Sequence, residues 1–587
     1  MRLVFDLEAN GLYWDASRIH CLVAKDTDTG DLYKFAPSEV EQGLQLLMKA
    51  DTIIGHNVIG YDIALIKKLY PWFTVSNEAV IDTLILSRFI FPDLSDQDRS
   101  EGGTIESKLI GSHSLRAWGQ RLKLFKGDYD GGWDNYSEEM LAYNVQDVEV
   151  TDRLHRHLIK QAAYSPMASV LEHQVAHIVA RQERHGFAFD VKSAEKLTAL
   201  LMIRRGELEQ ELQDTFPPWE EFVEEFIPKV NNKSRGYVKG VPFTKTKTVV
   251  FNPGSRHHIA NRLKAIHGWV PKEFTPDGSA KIDETVLGAL KYPEAKLLTE
   301  YLLVQKRLGA LAEGNNAWLK LCRNGRIHGE VITNGAVTGR ATHRNPNITG
   351  VPSVGSSYGK ECRALFGASP DRVLVGIDVS GLELRMLGSF MAHFDNGKYA
   401  KEVVEGDVHT ANQLAAGLDT RNQAKTFIYA FLYGAGPAKI GSVVGKGAKH
   451  GKLLKERFLS QTPALAKLIR AVQQAAGRGY LVGLDGRHLR IRSDHAALNT
   501  LLQSAGALVC KQWMVEVEHM LTQKQWLHKV QQSAWVHDEC QFDCDPDIAD
   551  EFGKLAVECI AKAGEFFSLK VPLTGEYKIG RNWAETH

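Results

Sequence analysis

Two acidic residues each follow an apolar run, in parts of the chain that are far apart. Asp378 follows "VLVGI", and Asp538 follows "SAWVH" within the segment "SAWVHDECQFDCD". Apolar residues alternate on both sides of the second acid, which favours a half-buried hairpin with acids at its turn. Such acids repel each other unless solvent or a cation neutralises them, so a solvated hairpin tip and a metal site both fit this segment. If the two acid-bearing strands pair, their carboxylates could hold two Mg²⁺ ions that activate an attacking hydroxyl and stabilise a leaving group.

A second group of acids lies near the N-terminus. Asp6 and Glu8 are two residues apart on a predicted strand and therefore point to the same face. Asp62 follows another predicted strand in "HNVIGYD", and "YNVQD" places Tyr143 and Asp147 four residues apart on a predicted helix. The Asp-x-Glu pattern is frequent by chance, but acids from three segments could converge. Convergent carboxylates imply two divalent cations and a hydrolytic water.

The segment "RNQAKTFIYAFLYGAG" could supply a nucleotide site. If it is a helix, Arg421, Lys425, Tyr429 and Tyr433 follow one another at intervals of four residues and share a face. Two cations suit a triphosphate, and two flat rings suit a base and a sugar. The same spacing is typical of an amphipathic helix with its aromatic residues in the core, so both interpretations remain open for this segment.

The elements that must position these residues follow from length and periodicity. A chain of 587 residues is too long for one core and predicts two to four domains. Up to about residue 160, strand-like runs alternate with helical ones, which is typical of an α/β domain. Long amphipathic helices follow, including residues 297–314. Strand signals return at 372–380, and a predicted hairpin at 479–492 precedes a final unit of helix and strands.

Composition excludes several classes of protein. With 44% hydrophobic and 24% charged residues, the chain is typical of a globular protein rather than a disordered one. The net charge of +1 does not exclude a nucleic-acid partner, because a local basic track matters more than the total. The seven cysteines contain no CxxC pair, which argues against a disulfide framework and a zinc site. Without a signal peptide or a long apolar run, the sequence predicts a cytosolic protein with no membrane partner.

Three motifs carry a resemblance to a known family. The segments "DVSGLELR" (378–385), "RNQAKTFIYAFLYG" (421–434) and "VHDE" (536–539) resemble motifs A, B and C of family A, or Pol I-like, DNA polymerases, in order and in spacing. Intervening sequence, including "NGAVTGRATH" and "FNPGSRHHI", is more similar to the replicative polymerases of short-tailed bacteriophages of the T-seven group. The N-terminal acidic segments resemble the Exo I, II and III motifs of DEDDy-type 3′–5′ exonucleases.

This resemblance implies a multidomain chain of α/β and α+β character, in which a ribonuclease-H-like 3′–5′ exonuclease domain precedes a right hand of palm, thumb and fingers. The exonuclease domain is expected at 1–163 and the polymerase domain at 164–587. The thumb is expected at about 184–325, the palm at about 326–390 and 507–587, and the fingers at about 391–506. The implied activity is that of a DNA-directed DNA polymerase that replicates phage DNA by two-metal phosphoryl transfer, with 3′–5′ proofreading.

The resemblance also implies roles for residues of the polymerase domain. The metal site would consist of two Mg²⁺-binding carboxylates, a backbone ligand and an auxiliary acid, namely Asp378, Asp538, Val379 and Glu539. The triphosphate would contact His409, Arg421 and Lys425, and the sugar and templating base would lie near Glu383, Tyr429 and Tyr433. The DNA contacts would be Arg340 and Gln503 in the minor groove and His537 at the primer end.

In the exonuclease domain the resemblance implies a second pair of Mg²⁺ ions. Their ligands would be Asp6, Glu8, Asp62 and Asp147, with Tyr143 orienting the attacking water. Mn²⁺ could replace Mg²⁺ in either site. Because all of these acids are present, nothing in the sequence indicates an inactive relic.

The segment "KVNNKSRGYVKGVPFTKTK" (229–247) contains six Lys or Arg and no acid. Its Gly, Asn and Pro residues predict a loop, which could be simply solvated or could bind a phosphate backbone. The candidate DNA-binding residues are Lys229, Lys233, Arg235 and Lys239, with Lys245 and Lys247. The interval from Phe216 to Val249 is too short for a subdomain that captures host thioredoxin, so thioredoxin is not expected as a partner.

The other implied partners are primer–template DNA, dNTPs, a phage helicase–primase and a single-stranded DNA-binding protein, in the cytoplasm of a bacterial host. Three rival functions fit parts of the sequence. A stand-alone nuclease would not need Asp378 and Asp538. A single-subunit RNA polymerase shares the palm but should lack the exonuclease acids and Glu383, and a non-enzymatic replication scaffold explains none of the acids.

Overall fold

The computed structural model describes residues 1–100, 105–125 and 129–587. These residues form two units, and the division does not follow the order of the chain. The first unit contains Met1–Ala188, His328–Val351 and Phe366–His587, and the second contains Phe189–Ile327 and Pro352–Leu365. Among the described residues, none of the helices has both the length and the apolar character that crossing a bilayer requires.

The N-terminal part of the first unit is built on a mixed sheet with the strand order β3-β2-β1-β4-β5. Its strands are β1 (Arg2–Ala9), β2 (Ile19–Asp26), β3 (Leu32–Phe35), β4 (Thr52–Gly55) and β5 (Val80–Asp82). Its helices are α1 (Val40–Met48), α2 (Asp62–Leu69), α3 (Thr83–Ile90), α4 (Leu94–Ser100), α5 (Leu115–Arg121), α6 (Glu138–Leu158) and α7 (Pro166–His185). Strand β1 pairs antiparallel with β2 and parallel with β4. Because β1 is central, Leu3, Val4 and Phe5 are all buried, on both faces of the sheet.

Most buried apolar residues of helix α7 belong to one of two hydrophobic cores. It begins after Ser165, whose hydroxyl accepts a hydrogen bond from the Ala168 backbone N–H and so caps the helix. Its small residues Ala176 and Ala180 pack in the core of the N-terminal sheet. Its larger residues pack in the core of the sheet that carries Asp378, and they are Leu171, Val175, Ile178 and Val179. The helix is therefore apolar on two sides and buried along most of its length.

The second unit is mainly helical. Its helices are α8 (Val191–Thr215), α9 (Arg256–His267), α10 (Glu284–Gly288), α11 (Pro293–Leu308), α12 (Trp318–Leu321) and α13 (Gly359–Ala364). Strand β6 (Phe187–Phe189) ends at the first residue of this unit. The strands of the unit are β7 (Trp219–Phe226), β8 (Phe243–Val249), β9 (Cys322–Arg323) and β10 (Arg326–Ile327). Helices α8 and α11 pack against each other. The helix predicted at 297–314 is confirmed as α11 followed by a π-helical turn over Gly309–Glu313.

The segment predicted as a basic loop is partly a β-hairpin, so that prediction is wrong for Phe243–Lys247. Strand β8 pairs antiparallel with β7, and only the connection between them, which includes a 3-10 turn at Lys233–Arg235, is irregular. Alternating Thr, Lys and Val residues favour a strand. Opposite charges also face each other, because Glu224 is opposite Lys245 and forms an ion pair with it at 2.9 Å. The acidic run before the loop and the basic run within it are cross-strand partners.

The rest of the first unit surrounds a second sheet with the order β17-β18-β14-β19. The strands of this part are β11 (Glu330–Ile332), β12 (Thr342–Arg344), β13 (Phe366–Gly367), β14 (Val373–Val379), β15 (Tyr480–Val482), β16 (His488–Arg490), β17 (Val530–Val536), β18 (Glu539–Cys544) and β19 (Gly575–Gly580). Strand β14 pairs antiparallel with β18, which begins just after Asp538. The strand that ends just before Asp538 is β17, and β18 lies between it and β14, so the two acid-bearing strands are in one sheet but do not pair directly as predicted. The predicted hairpin near residue 485 is confirmed as β15 and β16.

Helices cover this second sheet and extend beyond it. They are α14 (Leu382–Asp395), α15 (Lys398–Glu405), α16 (Val408–Ala416), α17 (Arg421–Leu432), α18 (Pro437–Ser442), α19 (Ala448–Gln461), α20 (Pro463–Ala476), α21 (Ala497–Gln523) and α22 (Ala549–Phe566). Helix α21 is apolar on nearly all sides, as expected of a helix in the interior of a large unit, and Trp513 at its centre is fully buried.

Candidate active site

Asp378 and Asp538 lie at the same edge of the second sheet. Asp378 is the penultimate residue of β14, and Asp538 lies in the two-residue turn between β17 and β18. The Val379 backbone N–H donates a hydrogen bond of 3.0 Å to the carbonyl of Asp538, which ties the turn to the strand. In the same turn His537 has a φ of 60°, in the left-handed region that tight hairpin turns use. The fold therefore brings together the two carboxylates that the sequence singled out.

The surroundings of both acids raise their pKa values. Burial of the carboxyl group, together with the charges of Asp538 and Glu539, raises the pKa of Asp378 to about 7, although the residue as a whole is exposed to solvent. Burial and the nearby Glu383 also raise the pKa of Asp538. A cation between the two carboxylates would relieve this repulsion, and hard carboxylate oxygens are the ligands that Mg²⁺ prefers. The donor set therefore fits a divalent metal.

Glu539 has a different environment from the two aspartates. Its Oε1 accepts hydrogen bonds from Trp583 Nε1 at 2.5 Å and from Gln541 Nε2 at 2.7 Å, and its Oε2 lies 2.8 Å from His587 Nδ1. Burial alone would raise the pKa of Glu539, but these donors lower it below its ordinary value. Both oxygens of this carboxylate contact protein groups, so Glu539 is held in place beside Asp378 and Asp538.

Helix α17 presents the four residues spaced at intervals of four. Thr420 and Gln423 form a capping box that starts the helix at Arg421. Phe427 and Phe431 face the core, whereas Arg421 and Lys425 are exposed and Tyr433, just beyond the helix, is 45% exposed. The buried aromatic residues of this helix are thus phenylalanines, whereas Tyr429 is half-buried at the edge of the core and Tyr433 is exposed like the cations.

His409 lies beside the cationic face of α17. Its ring centroid is 6.4 Å from that of Tyr429, and burial together with the charges of Arg421 and Lys425 lowers its pKa. Arg421 Nε is 2.7 Å from Asp407 Oδ2, and the same aspartate caps α16 through the backbone N–H groups of His409 and Thr410. The structure therefore gathers His409, Arg421 and Lys425 at one place, with Asp407 as the resting partner of Arg421.

Glu383 links the end of α17 to Arg340. The Tyr433 hydroxyl donates a hydrogen bond of 3.0 Å to Glu383 Oε1, and Arg340 Nη2 lies 3.6 Å from the same oxygen. The rings of Tyr429 and Tyr433 are nearly parallel, with centroids 6.5 Å apart. A cavity of about 250 Å³ opens here, and its polar lining residues are Arg340, Glu383, Tyr433, His537 and Asp538.

Other predicted DNA contacts lie outside this cavity. Gln503 is on α21, one turn before the cavity-lining Gly506, and its amide donates to Asn499 Oδ1 at 2.8 Å. The predicted basic residues belong to the second unit, in the connection between β7 and β8, where all of them are exposed: Lys229, Lys233, Arg235 and Lys239.

The N-terminal acids form a second cluster. Carboxylate oxygens of Asp6, Glu8 and Asp147 all lie within 4.8 Å of one another, a spacing that suits a shared metal ion. Strand β1 supplies the first two residues, and α6 supplies the third. Asn144, one turn before Asp147, donates to Asp6 Oδ2 at 2.9 Å and orients this carboxylate.

Asp62 and Tyr143 flank this cluster. Asp62 is buried in the first turn of α2, and burial together with the charges of Glu8 and Asp82 raises its pKa well above the ordinary value. Asp62 therefore lies close to Glu8 but outside the tight group of three. The Tyr143 ring packs at a tilt against Tyr129, with centroids 5.7 Å apart.

The family model for DNA polymerase family A matches residues 224–585. The chain belongs to this family. It is 41% identical to the DNA-directed DNA polymerase of Enterobacteria phage T3 and 40% identical to that of Escherichia phage T7, over 100% of this chain and of each relative. The resemblance inferred from the three motifs is therefore confirmed.

A solved structure supports the fold of this family A polymerase. The structure titled "POL domain of Pol1 from M. smegmatis complex with DNA primer-template and dNTP" superposes with a TM-score of 0.74 and covers 99% of this chain and 96% of that one. The identity is only 18%, so the comparison concerns the fold alone. A family A polymerase fold of mixed α and β content is thereby established for the chain.

Sequence reasoning missed several residues that shape these sites in the family A polymerase. Asp407, the partner of Arg421, carries an N-cap signal in "GDVHT" that could have indicated its position but not its ion pair. Asp82 is a buried N-cap that accepts hydrogen bonds from the backbone of Asn57 and Ile59 and so fixes the segment leading to Asp62. Asn144 could have been found from its spacing to Asp147 on one helix face.

Proposed function

We propose that this chain is a DNA-directed DNA polymerase of a phage related to T7, which adds dNTPs to a primer 3′ end by two-metal phosphoryl transfer and proofreads with a 3′–5′ exonuclease. One observation carries the polymerase assignment. Asp378 and Asp538 repel each other, and Asp538 lines a cavity together with Glu383 and with Tyr433, which lies at the end of the cationic face of α17. Membership of DNA polymerase family A and similarity to the DNA-directed DNA polymerases of phages T3 and T7 support it.

The metal ligands of the polymerase site would be Asp378, Asp538 and the backbone carbonyl of Val379. When bound, two Mg²⁺ ions supply the positive charge that favours deprotonation of the primer hydroxyl and departure of pyrophosphate. Asp378 must lose its proton to accept a cation, because its pKa is raised by burial and by Asp538. Glu539 would be an auxiliary acid beside the metal ions rather than a direct ligand, because its oxygens already contact Trp583, Gln541 and His587.

The chain holds the triphosphate through α17 and α16. Arg421 and Lys425, one turn apart, would contact phosphate oxygens, with His409 beside them. Arg421 would exchange Asp407 for the triphosphate, because an exposed ion pair is weak and easily replaced.

Glu383 and the two tyrosines would select the sugar and the base. The hydrogen bond from Tyr433 holds the Glu383 carboxylate at the cavity wall, where its bulk would leave no room for a 2′-hydroxyl. The Tyr429 hydroxyl could replace a missing 3′-hydroxyl, so dideoxynucleotides should be accepted well. Tyr433 would stack near the templating base.

The N-terminal cluster would perform the exonuclease reaction. Asp6, Glu8 and Asp147 would hold one metal ion, and Asp62, which is repelled by Glu8, would contribute to a second. Tyr143 would orient the attacking water with its hydroxyl. Asn144 would keep Asp6 in place through its hydrogen bond, and Mn²⁺ could replace Mg²⁺ in this site and in the polymerase site.

The DNA would contact both units. Arg340 and Gln503 would read the minor groove of the new duplex, His537 would touch the primer end, and the exposed lysines between β7 and β8 would lie near phosphates. On this proposal 1–163 is the exonuclease domain and 164–587 the polymerase domain. A phage helicase–primase and a single-stranded DNA-binding protein are proposed partners. Thioredoxin is not, because the hairpin β7–β8 occupies the interval where a capturing subdomain would lie.

A primer-extension assay tests the proposal. The full chain is given Mg²⁺, dNTPs and two primers on one template, one correctly paired and one with a mismatched 3′ end. We expect extension of the first, and removal of the mismatched nucleotide before extension of the second. Degradation without any extension would support a stand-alone nuclease instead, and extension with rNTPs alone would support an RNA polymerase.

A further inference from the structure

Charged side chains are buried together between α7, α21 and the β15–β16 hairpin. They are Glu172, Asp485, Arg487 and Lys511, each with a side chain no more than 2% exposed, and the amide of Asn334 joins them. We call these five residues the buried charge group. Two carboxylates and two cations make the group neutral overall.

The contacts within the buried charge group are short. Arg487 Nη2 lies 2.5 Å from Glu172 Oε1 and 2.6 Å from Asp485 Oδ2, and Lys511 Nζ lies 2.5 Å from the same Glu172 oxygen. Buried ion pairs of this kind contribute little net stability, because desolvation offsets most of the attraction. We therefore interpret these ion pairs as fixing the positions of the residues that they contact rather than as stabilising the fold.

The buried charge group holds one end of the turn that carries Arg340. Asn334 Oδ1 accepts hydrogen bonds from Arg487 Nη1 at 2.8 Å and from Lys511 Nζ at 3.1 Å. Directly after Asn334, the Gly335 backbone N–H donates to the carbonyl of Arg340 at 3.1 Å and closes the turn. The position of the Arg340 backbone therefore depends on where Arg487 and Lys511 hold Asn334.

The other end of the turn packs against the same guanidinium. Gly339 has a φ of 77°, and a Cβ added there would lie 2.9 Å from Arg487 Nη1. Only glycine permits this approach of Arg487 to the residue before Arg340. Beyond the turn, the Arg340 side chain reaches the cavity of the polymerase site, where its Nη2 lies 3.6 Å from Glu383 Oε1.

We propose that Asn334, Arg487 and Lys511 are positioning residues that fix Arg340 for contact with the minor groove and thereby set discrimination against mismatched primer ends. This inference rests on the proposed polymerase function and on the role of Arg340 within it. Minor-groove acceptors occupy equivalent positions in all correct base pairs. If the Arg340 guanidinium is held rigidly at that position, it donates a hydrogen bond to a correctly paired primer end. A mismatched primer end is displaced, so its acceptor is out of reach and the guanidinium stays unpaired.

A chemical substitution in the primer tests the proposal. The 3′-terminal guanine is replaced by 3-deazaguanine, which lacks the minor-groove N3 acceptor, and single-turnover extension is compared with the natural primer. The wild-type protein should extend the modified primer about tenfold more slowly, the factor that corresponds to the loss of about 1.4 kcal/mol. Arg340→Ala should be slow on both primers and show no such penalty.

The positioning residues are then changed one at a time. Asn334→Ala removes the shared acceptor and should reduce the 3-deazaguanine penalty to below about threefold, while mismatched ends are extended relatively faster. Arg487→Lys keeps the charge but loses the planar fork and should act in the same direction. Asn334→Asp keeps an oxygen acceptor for both cations and should restore the penalty. Leu47→Ala, a change of a buried leucine in α1, controls for loss of stability and should keep the full penalty.

The outcomes separate the hypotheses. If Asn334→Ala slows extension of both primers equally and keeps the full penalty, the group is merely structural and the inference is wrong. If the wild-type protein extends primers but shows no penalty, the role of Arg340 is wrong and the inference fails with it. If the wild-type protein extends no primer at all, the proposed polymerase function itself is refuted.

Discussion

Asp378 and Glu539 are direct partners across the antiparallel strands β14 and β18, yet their carboxylates have opposite environments. Protein donors surround Glu539 and lower its pKa, whereas Asp378 faces Asp538 and has its pKa raised to about 7. Paired positions in one sheet thus hold an acid whose charge is stabilised by protein donors and an acid whose charge is disfavoured by its surroundings. Such differences between neighbouring residues can be tested by mutation.

Asp538→Asn should abolish polymerisation and leave the exonuclease intact. Removing one metal-binding charge should lower the extension rate by roughly 10²–10³-fold or more. Hydrolysis of a single strand should be unchanged, because the cluster of Asp6, Glu8 and Asp147 is a separate site. The converse change, of Asp6 and Glu8 to Ala, should spare extension. A folded variant of either kind that lost both activities would refute the two-site assignment.

Glu383→Ala should relax the choice of sugar. With its bulk removed, discrimination against ribonucleotides, measured as the ratio of kcat/KM values, should fall by about tenfold or more. Tyr433→Phe, which loses the hydrogen bond to Glu383, should produce a smaller change in the same direction. Tyr429→Phe is the matched control, since it should leave ribonucleotide discrimination unchanged and instead raise discrimination against dideoxynucleotides. Equal effects of all three changes would contradict the assignment of Glu383.

Asp407→Asn should tighten dNTP binding. Arg421 is paired with Asp407 at 2.7 Å, and this exposed pair must break before Arg421 can reach a triphosphate. Because asparagine also caps helices, the change removes the charge and keeps the start of α16. The dissociation constant for dNTP should fall by up to about fivefold, the range of an exposed ion pair. The same change in an Arg421→Ala background should have no effect, and an effect there would show that Asp407 acts in another way.

The salt dependence of DNA binding should distinguish the lysines of the β7–β8 hairpin. Replacing Lys229, Lys233 and Lys239 by Gln should reduce the slope of log Kd against log salt by about 0.9 for each phosphate that the protein no longer neutralises. Lys245→Gln removes the same charge but should change the slope much less, because Lys245 is already paired with Glu224. Slopes equal to that of the wild-type protein in all four single variants would show that this hairpin does not contact the duplex.

Stability should fall in mild acid partly because of His113. The Trp118 indole N–H donates to Ser87 Oγ at 3.0 Å, and the hydroxyl in turn lies 2.5 Å from His113 Nδ1, so it can donate its proton to the unprotonated nitrogen of a neutral ring. Burial and nearby arginines lower the pKa of His113 to about 3. An unfolded histidine takes up a proton near pH 6.5, so the unfolded state gains from acid and the folded state does not.

The matched variant for this test is His113→Gln. Between pH 7 and pH 5 the wild-type protein should lose up to about 2 kcal/mol of unfolding free energy that the variant does not lose. Denaturant titrations at the two pH values measure the difference. If the gap between the proteins is constant with pH, the ring is not held in its neutral form.

The sequence predicted the parts of the site that depend on local pattern. Asp378 and Asp538 each follow an apolar run, so strand periodicity alone indicates that they lie at strand ends. Helical spacing places Arg421 and Lys425 on one face, and the structure shows that the phenylalanines of α17 take the core positions. The assignment of each residue to a substrate group came from the resemblance and stays a prediction.

Contacts between distant segments could not be predicted in this way. Glu539 is held by Trp583 and His587, and Arg487 meets Glu172 more than three hundred residues away in sequence. Helix and strand periodicity in the sequence cannot indicate such pairs, because each charged partner alone is also typical of a solvent-exposed position. The strand Phe243–Val249 was missed for a related reason, since its lysines favour a loop until the glutamates of β7 are known to lie opposite.

Helix α7 has a practical consequence for truncation and for gene exchange. One of its faces completes the interior of the N-terminal sheet and another completes the interior around β14. A fragment that starts at residue 164 would keep α7 but expose Ala176 and Ala180, because the N-terminal sheet that covers them would be missing. We therefore expect such fragments, and chimaeras joined within α7, to be poorly soluble, and crossovers between related phages to preserve this helix as a whole.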